Sequence, residues 1–500
     1  MRKGFLHVVE IVIVALMAFL VILQFSYVPK QNTDWAGMKL STQANDILFS
    51  LNKKGVDWFN STEVDKAISS FISNNTIYSL KIRNVMKPSI KVGCICSAAE
   101  ATSLANALRP FDINSQPVSF SVTQISPIAF SHEYDVIVIN DSGLSSYYNQ
   151  IRQFLAADKG IVQFRSLDQS EIDSVQTDLF GLKWNNSLGN PDTAPVEFRS
   201  NMSSEPYYNI YKYFHNIPVF QDNFTNANAW SAQTGTWNIN SGNYVGSDVS
   251  EAITITSLSF QDRYSMRAWI YPESNHPKLI IYWQDSNDYV SVDFDVAADT
   301  ITVFENASGV VWNRGSGSYL LNLNRWYDAK IIPKADGSLK IYVNNSYVFT
   351  SQPVTIPAST RIGLSAEAGQ SRFDNVRVTF AETHNFSSNL LQNEKVEPAD
   401  NNSQKIILLQ KSRQLPACIV NSNIADERGR TAWLAYADPS ASQEISTMLK
   451  TLVVWAAGDE NEVVKNEVRN IPVVTSLYRT YDQDMYQPVE IVLTMGNLYG

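Results

Sequence analysis

Three cysteines in 500 residues are too few for a disulfide framework. Cys94 and Cys96 stand two apart on an expected strand, where alternation turns both to one face, a poor arrangement for a mutual bond. With Cys418 they read as small buried apolar residues, a bond from Cys418 to one of them being the alternative. Positive charge is also scarce: 39 Lys and Arg against 49 Asp and Glu give a net charge of −10, with no basic run beyond the N-terminus. That balance excludes nucleic-acid binding, which requires a basic surface against phosphates. Histidine is rare, and His7, His132, His215, His276 and His384 have no recognisable triad context.

Long apolar runs are missing with one exception. From Phe5 to Phe25 only His7, Glu10 and Gln24 interrupt an apolar stretch long enough to cross a bilayer as a helix. Arg2 and Lys3 precede it and hold that end in the cytoplasm, so the rest of the chain is expected outside the cell as a single-pass membrane protein. The run is too long for a cleaved secretory h-region, and no A-x-A-like site follows it. The order Arg2-Lys3-Gly4-Phe5, then Glu10, then an apolar helix resembles the archaeal type IV pilin-like class with a class III signal peptide. The resemblance implies cleavage between Gly4 and Phe5. It also implies assembly with pilin-like subunits, through pairing of Glu10 with a neighbour's freed amine. Glu10 is sixth after that cut, where bacterial pilins place the glutamate fifth. An uncleaved anchor, with Glu10 among the headgroups, is the other reading.

With 44% hydrophobic residues the chain affords two to four domains. After the membrane helix, residues 1–28, helical spacing of Met38, Ala44, Ile47, Leu48 and Leu51 and of Val64, Ile68, Phe71 and Ile72 predicts a helical stalk over 29–88. Strand–helix alternation marks an α/β parallel-sheet domain over 89–215, including the apolar strand YDVIVIN and a capping box at Ser97-Ala98-Ala99-Glu100. Residues 220–381 read as strands throughout and predict a β-sandwich. The first rhythm returns over 404–459, with Asp438-Pro439 capping a helix, so the sandwich is expected as an insert in a flavodoxin-like domain. A β segment, 460–500, lies outside that sheet. Ten N-x-S/T sequons between Asn60 and Asn401 fit a glycosylated surface.

The stretches IKVGCICSAAEATSLANAL, YDVIVINDSG, FLAADKGIVQF and RGRTAWLAYADPSASQEISTMLKTLVVWAAG resemble class I glutamine amidotransferase-like domains of the trehalose-utilisation type. The strand that would end in their Gly-x-Cys-x-Gly elbow runs here into Arg165-Ser166-Leu167-Asp168, so the nucleophile is missing and a scaffold without catalysis is expected. A serine nucleophile at Ser166 would still need a histidine base. The stretches DNFTNANAWSAQTGTWNINSGNYVGS, WQDSNDYVSVDFD, LNRWYDAKIIPKADGSLKIYVNN and RIGLSAEAGQSRFDNVRVTF resemble the concanavalin A-like, laminin-G-like family, implying a jelly-roll of the kind that often binds carbohydrate.

Alternation puts Arg267, Trp269 and Tyr271 on the face opposite Met266, Ala268 and Ile270, and puts Asp293 and Asp295 opposite Val292 and Phe294. If the two strands are neighbours, these five residues form one glycan-binding face of aromatics, guanidinium and carboxylates. An exposed sheet face of any function would carry such residues too. No cofactor is implied. Asp285, Asn287 and Asp288 supply oxygens for calcium, but also for a plain turn. The expected function is a non-enzymatic, membrane-anchored surface protein displaying a lectin-like module for glycan or partner binding. The runner-up is an extracytoplasmic glycoside hydrolase using the sandwich face, although the Glu-x-Asp-x-x-Glu pattern of glucanases with this fold is absent. For the pilin-like reading, mass spectrometry of the native N-terminus is expected to find Phe5 as first residue; an intact Met1 or Arg2 would leave a plain anchor.

Overall fold

The computed structural model describes residues 32–497, apart from stretches 185–195, 199–206, 382–395, 399–404, 465–472 and 483–486 and breaks of three residues or fewer. The expected membrane helix with Gly4, Phe5 and Glu10 lies outside the described residues, as does Ser166. Among the described residues no helix is long and apolar enough to cross a membrane. The chain divides into two compact units, one of them Met86–Asp459 with Asp482–Gln487.

That unit begins with β1 (Ser89–Ile95), whose β-branched run is buried from Val92 onward. Ser97 and Glu100 stop it and start α1 (Ala98–Ala107) by a reciprocal capping box. β2 (Gln116–Gln124), the fully buried β3 (Val136–Ile139), α2 (Tyr148–Ala156) and the fully buried β4 (Gly160–Phe164) follow, then α3 (Ser174–Phe180) and α4 (Tyr207–Asn216). Strands buried on both faces read as unbroken apolar runs, which is why helices must cover them. Cys94 and Cys96 are joined in a disulfide, contrary to the sequence expectation. β1 ends at Ile95, so Cys96 sits in a bend, and the Cα–Cα separation is 5.5 Å, shorter than two extended residues allow and within bonding range.

The chain then enters an antiparallel assembly: β5 (Asn243–Thr256), β6 (Tyr264–Pro272), β7 (His276–Asp285), β8 (Asp288–Asp295), β9 (Thr300–Ala307), β10 (Val310–Ser318), β11 (Tyr327–Pro333), β12 (Leu339–Val343), β13 (Ser346–Thr350) and β14 (Ser359–Phe380). Their order is β10-β9-β8-β7-β14-β6-β11-β12-β13. The long β14 makes this a jelly-roll-like sandwich. Its first half pairs with β7 and its second with β6, so it passes from one layer to the other, with β5 alongside both halves. Inward side chains of both layers, among them Val292 and Phe294 from β8 and Met266 and Ile331 from β6 and β11, meet in one hydrophobic core.

Beyond the sandwich, β15 (Lys405–Lys411), β16 (Leu415–Ile424) and β17 (Glu427–Leu434) rejoin the first sheet, β17 lying parallel to β4 with Thr431 opposite Ile161. The parallel strands stand in the order β2-β1-β3-β4-β17, and β16 and β15 extend the sheet antiparallel. α5 (Gln443–Ala456), almost wholly buried, covers it; its cap is Ser442, whose Oγ accepts from the Ile445 N–H, rather than the expected Asp438-Pro439. Asp438 instead accepts a hydrogen bond from Ser103 Oγ on α1.

The second unit corrects the expected stalk. Helices Asn32–Lys54 and Ser61–Ser69 lay Leu40, Ala44, Ile47, Leu48, Leu51, Val64 and Ile68 against a sheet ordered Glu460–Val464, Thr76–Arg83, Gln487–Asn497, Val473–Asp482. The apolar stripe of these helices has no reason to face solvent when Tyr78 and Leu80 pair in register with Met495 and Leu493. The C-terminal β segment therefore packs on the N-terminal helices, a partnership more than 400 residues apart that no local pattern carries.

Gly160 opens β4 where an added Cβ would lie 2.2 Å from the Ala456 carbonyl oxygen. Gly160→Ala is expected to separate α5 from the sheet and to destabilise this unit by about 1–3 kcal/mol, read as a lower urea midpoint by tryptophan fluorescence.

Candidate functional site

β6 alternates as its sequence dictates. Met266, Ala268 and Ile270 are in the core, and Arg267, Trp269 and Tyr271 point out of the sandwich. Arg267 is held by two hydrogen bonds to Asp328 on β11, Nε to Oδ1 at 2.8 Å and Nη2 to Oδ2 at 2.6 Å. Trp269 is 39% exposed and Trp326, just before β11, lies between it and Tyr271, with ring centroids 6.2 and 5.2 Å away. The Arg372 guanidinium, 5.6 Å from the Tyr271 ring, is anchored by Glu273. Three aromatics thus form a belt stiffened by two ion pairs, bidentate at Arg267 and with both donors on Glu273 Oε1 at Arg372.

Beside this belt lies a pocket of 660 Å³, lined by Arg267, Trp269, Asp374, Asn375 and Arg377 of the sandwich, the Ser241–Asn243 turn, Gln221 and Asn223, and Asp112 of the α/β domain. Its walls are fixed by hydrogen bonds: Asn223 Nδ2 donates to Asp112 Oδ2 at 3.0 Å, and the Asp112 N–H donates to Gln221 Oε1 at 2.9 Å. Arg377, nearly buried, donates from Nη2 to the Asn216 carbonyl at 3.0 Å. Asn375 adopts a left-handed backbone at φ 48°, and its N–H donates to Asp374 Oδ1, which bends β14 where β6 shifts register. Burial pushes the Asp374 carboxyl above the usual carboxylate range, with Asp222 adding to the rise. Gly242, at φ 78° with open space around it, lets the rim turn tightly without filling the mouth.

The pocket brings Arg267 and Trp269 together, with Tyr271 one strand position beyond. Asp293 and Asp295 are elsewhere, because β7 and β14 separate β8 from β6. The condition that the two strands be neighbours fails, and the five-residue face divides in two. Asp295 Oδ1 accepts the Ala298 N–H and caps a turn. Asp293 belongs to a charged row across the other layer, opposite Lys278, which binds Glu251 at 3.0 Å and also Glu367. Its Oδ2 lies 3.2 Å from His276 Nδ1, while among the described residues its buried Oδ1 has no hydrogen-bond partner. Trp326, Asp374 and Asp112 were not legible as site residues. The one local signal was Asp374-Asn375, a pair suited to a bent strand.

The turn oxygens of Asp285 are spent on the N–H groups of Asn287 and Asp288, and no cluster of His, Cys, Asp or Glu suited to a metal occurs among the described residues. At the end of β4, Arg165 pairs with Glu171 at 2.6 Å.

Burial raises the Asp293 carboxyl, outweighing the opposing pull of Lys278 and His276. Between its unfolded and its raised folded pKa the native chain binds more protons than the unfolded one, so stability falls as pH rises through that window. Asp293→Asn, which cannot ionise, is therefore expected to melt above the parent at pH 7 and to lose that advantage on acidification below the ordinary aspartate range, as followed by thermal unfolding.

No protein-family model and no curated sequence matches this chain. Among solved structures, the carbohydrate-binding module CBM66 from Bacillus subtilis is similar over 30% of this chain and 95% of its own, at 17% identity and a TM-score of 0.28. The β-glucanase of Bacillus licheniformis is similar over 32% and 97%, at 14% identity and a TM-score of 0.27. The carbohydrate recognition domain of Emp47p is similar over 33% and 96%, at 14% identity and a TM-score of 0.27. The folds matched are β-sandwiches of carbohydrate-binding and glycoside-hydrolase proteins, at low coverage and identity.

Proposed function

We propose that this chain is a membrane-anchored surface protein that recognises glycans without turning them over, and that the pocket beside Trp269 is its binding site. The carrying observation is the composition of that pocket. A part-exposed indole stands beside carboxylates, guanidinium groups and amides in a space of 660 Å³. A pyranose offers an apolar C–H face to the ring and hydroxyls to the polar groups, and the volume is that of an ordinary ligand pocket. The order of the parallel strands and the Arg165–Glu171 pair support a flavodoxin-like, amidotransferase-like scaffold without its nucleophile. The apolar run after Arg2 and Lys3 supports the anchor, and the Gly4-Phe5 junction with Glu10 supports pilin-like processing and a seat in a surface filament.

A second reading, hydrolysis, is favoured by one observation: Asp293 is a buried carboxyl inclined to keep its proton, in the same charged row as the carboxylates of Glu251 and Glu367. Full-length chain in detergent, applied to a glycan array, tests both. Binding weakened about tenfold by Trp269→Ala, the scale of a lost aromatic stack and its buried area, and unaffected by Asp293→Asn is the expected result. Sugar release that Asp293→Asn abolishes would replace recognition with hydrolysis, and silence toward every glycan would remove both.

A further inference from the structure

The Cys94–Cys96 disulfide stands where the order of the parallel sheet reverses. From β1 the chain goes to β2 on one side and then crosses to β3 on the other. Such a reversal opens a crevice outside the carboxyl ends of the two central strands, the place where sheets of this kind put their chemistry. Cys94 and Cys96 are at the carboxyl end of β1, and Asn140 is at that of β3, its N–H bonded to the Ile95 carbonyl at 3.0 Å. Asn140 donates from Nδ2 to Glu100 of α1, while among the described residues its buried Oδ1 has no partner. Gln124 from β2 fixes the bend through a 2.8 Å hydrogen bond to the Cys96 carbonyl.

We propose that this disulfide is a thiol–disulfide exchange centre acting on a dithiol, carried by a polypeptide or by a small molecule. The two sulfurs have unequal surroundings. Cys94 is completely buried, whereas Cys96 is part-exposed, so an incoming thiolate reaches Cys96. Cys96 immediately precedes Ser97, the N-cap of the ten-residue α1, and a thiolate there is stabilised by the positive end of that helix. The bond closes a loop around Ile95 alone, the arrangement in which a cross-link removes least chain entropy, so stapling gives a poor account of it. The third cysteine, Cys418, is buried with its thiol pushed up by desolvation and does not compete.

The exchange balances as follows. A substrate thiolate attacks Cys96 Sγ, the bond to Cys94 breaks, and Cys94 leaves with the electron pair and takes a proton. The second substrate thiolate then attacks the substrate's own sulfur in the mixed disulfide, and Cys96 leaves as the helix-stabilised thiolate. The protein gains two electrons and one proton, the substrate's second proton passes to solvent because Cys96 stays a thiolate, and the substrate becomes a disulfide.

The test is redox titration of the purified full-length chain in glutathione buffers, with maleimide labelling read by mass and circular dichroism reporting the fold. Two labelled thiols are expected in a chain that remains folded. In Cys94→Ser, glutathione is expected to be trapped on Cys96, and in Cys96→Ser alkylation of Cys94 is expected to be about tenfold slower or more. A disulfide that resists millimolar dithiothreitol until the fold is lost would overturn the proposal, as would equal rates of alkylation at Cys94 and Cys96. If neither serine variant folds, the wild-type titration decides. Faster oxidation of reduced, unfolded ribonuclease A than of glutathione assigns a polypeptide substrate, the reverse assigns a small thiol, and no acceleration of either over buffer overturns the assignment.

Discussion

The pairing of β4 with β17 is the constraint on which the larger unit depends. Gly160 to Phe164 and Arg430 to Leu434 lie side by side in parallel register, although the whole sandwich separates them in sequence. A parallel pair buried on both faces has no water to satisfy a mispaired backbone, so its register is strongly specified. Everything between must leave this sheet and return to it. The sandwich obeys by entering and leaving on adjacent strands: Phe220 pairs with Val378, and Phe380 stacks on Phe214 of α4 at 5.1 Å while its carbonyl meets His215.

That seating explains why the pocket has its composition. It is bounded by the outward face of β6 and β14, by the first turn of the insert and by Asp112 of the host sheet. Arg267 of its wall is paired with Asp328, and Arg372 along the neighbouring belt with Glu273. Pairing fixes the direction of each guanidinium while the neighbouring indole stays accessible. The opposite layer uses charge differently. Lys278 sits between two carboxylates, which outweigh the effect of burial and keep the ammonium ionised, whereas Asp293 lacks a comparable partner. One sandwich therefore carries a rigid ion-pair lattice on one face and an incompletely neutralised row on the other.

How much of this was legible follows from the range of each signal. Alternation in Met266 to Tyr271 assigns every side chain of β6 to the correct face, because period two is local and the core enforces it. The same rule assigns Asp293 outward from the core but is silent on which strand lies beside β8, since neighbourhood is set by β14 crossing between layers. Ser97 and Glu100 announced a capping box that the structure contains, whereas Asp438-Pro439 offered a plausible cap four residues early. The Cys94–Cys96 bond escaped because strand geometry was extended one residue too far. The helices read as a stalk lacked a visible partner for their apolar stripe, which arrives only with residues 487–497.

The adjacent entry and exit of the sandwich also fix how tension travels. A pull between residues 86 and 459 is applied at one edge of the parallel sheet, because β1 begins there and Ala456 at the end of α5 meets Gly160 at the start of β4. The insert, entering and leaving on adjacent strands, hangs beside that path. Load on the host then reaches the Trp269 pocket by two routes, the paired strands at Phe220 and Val378 and the hydrogen bond from Asn223 to Asp112.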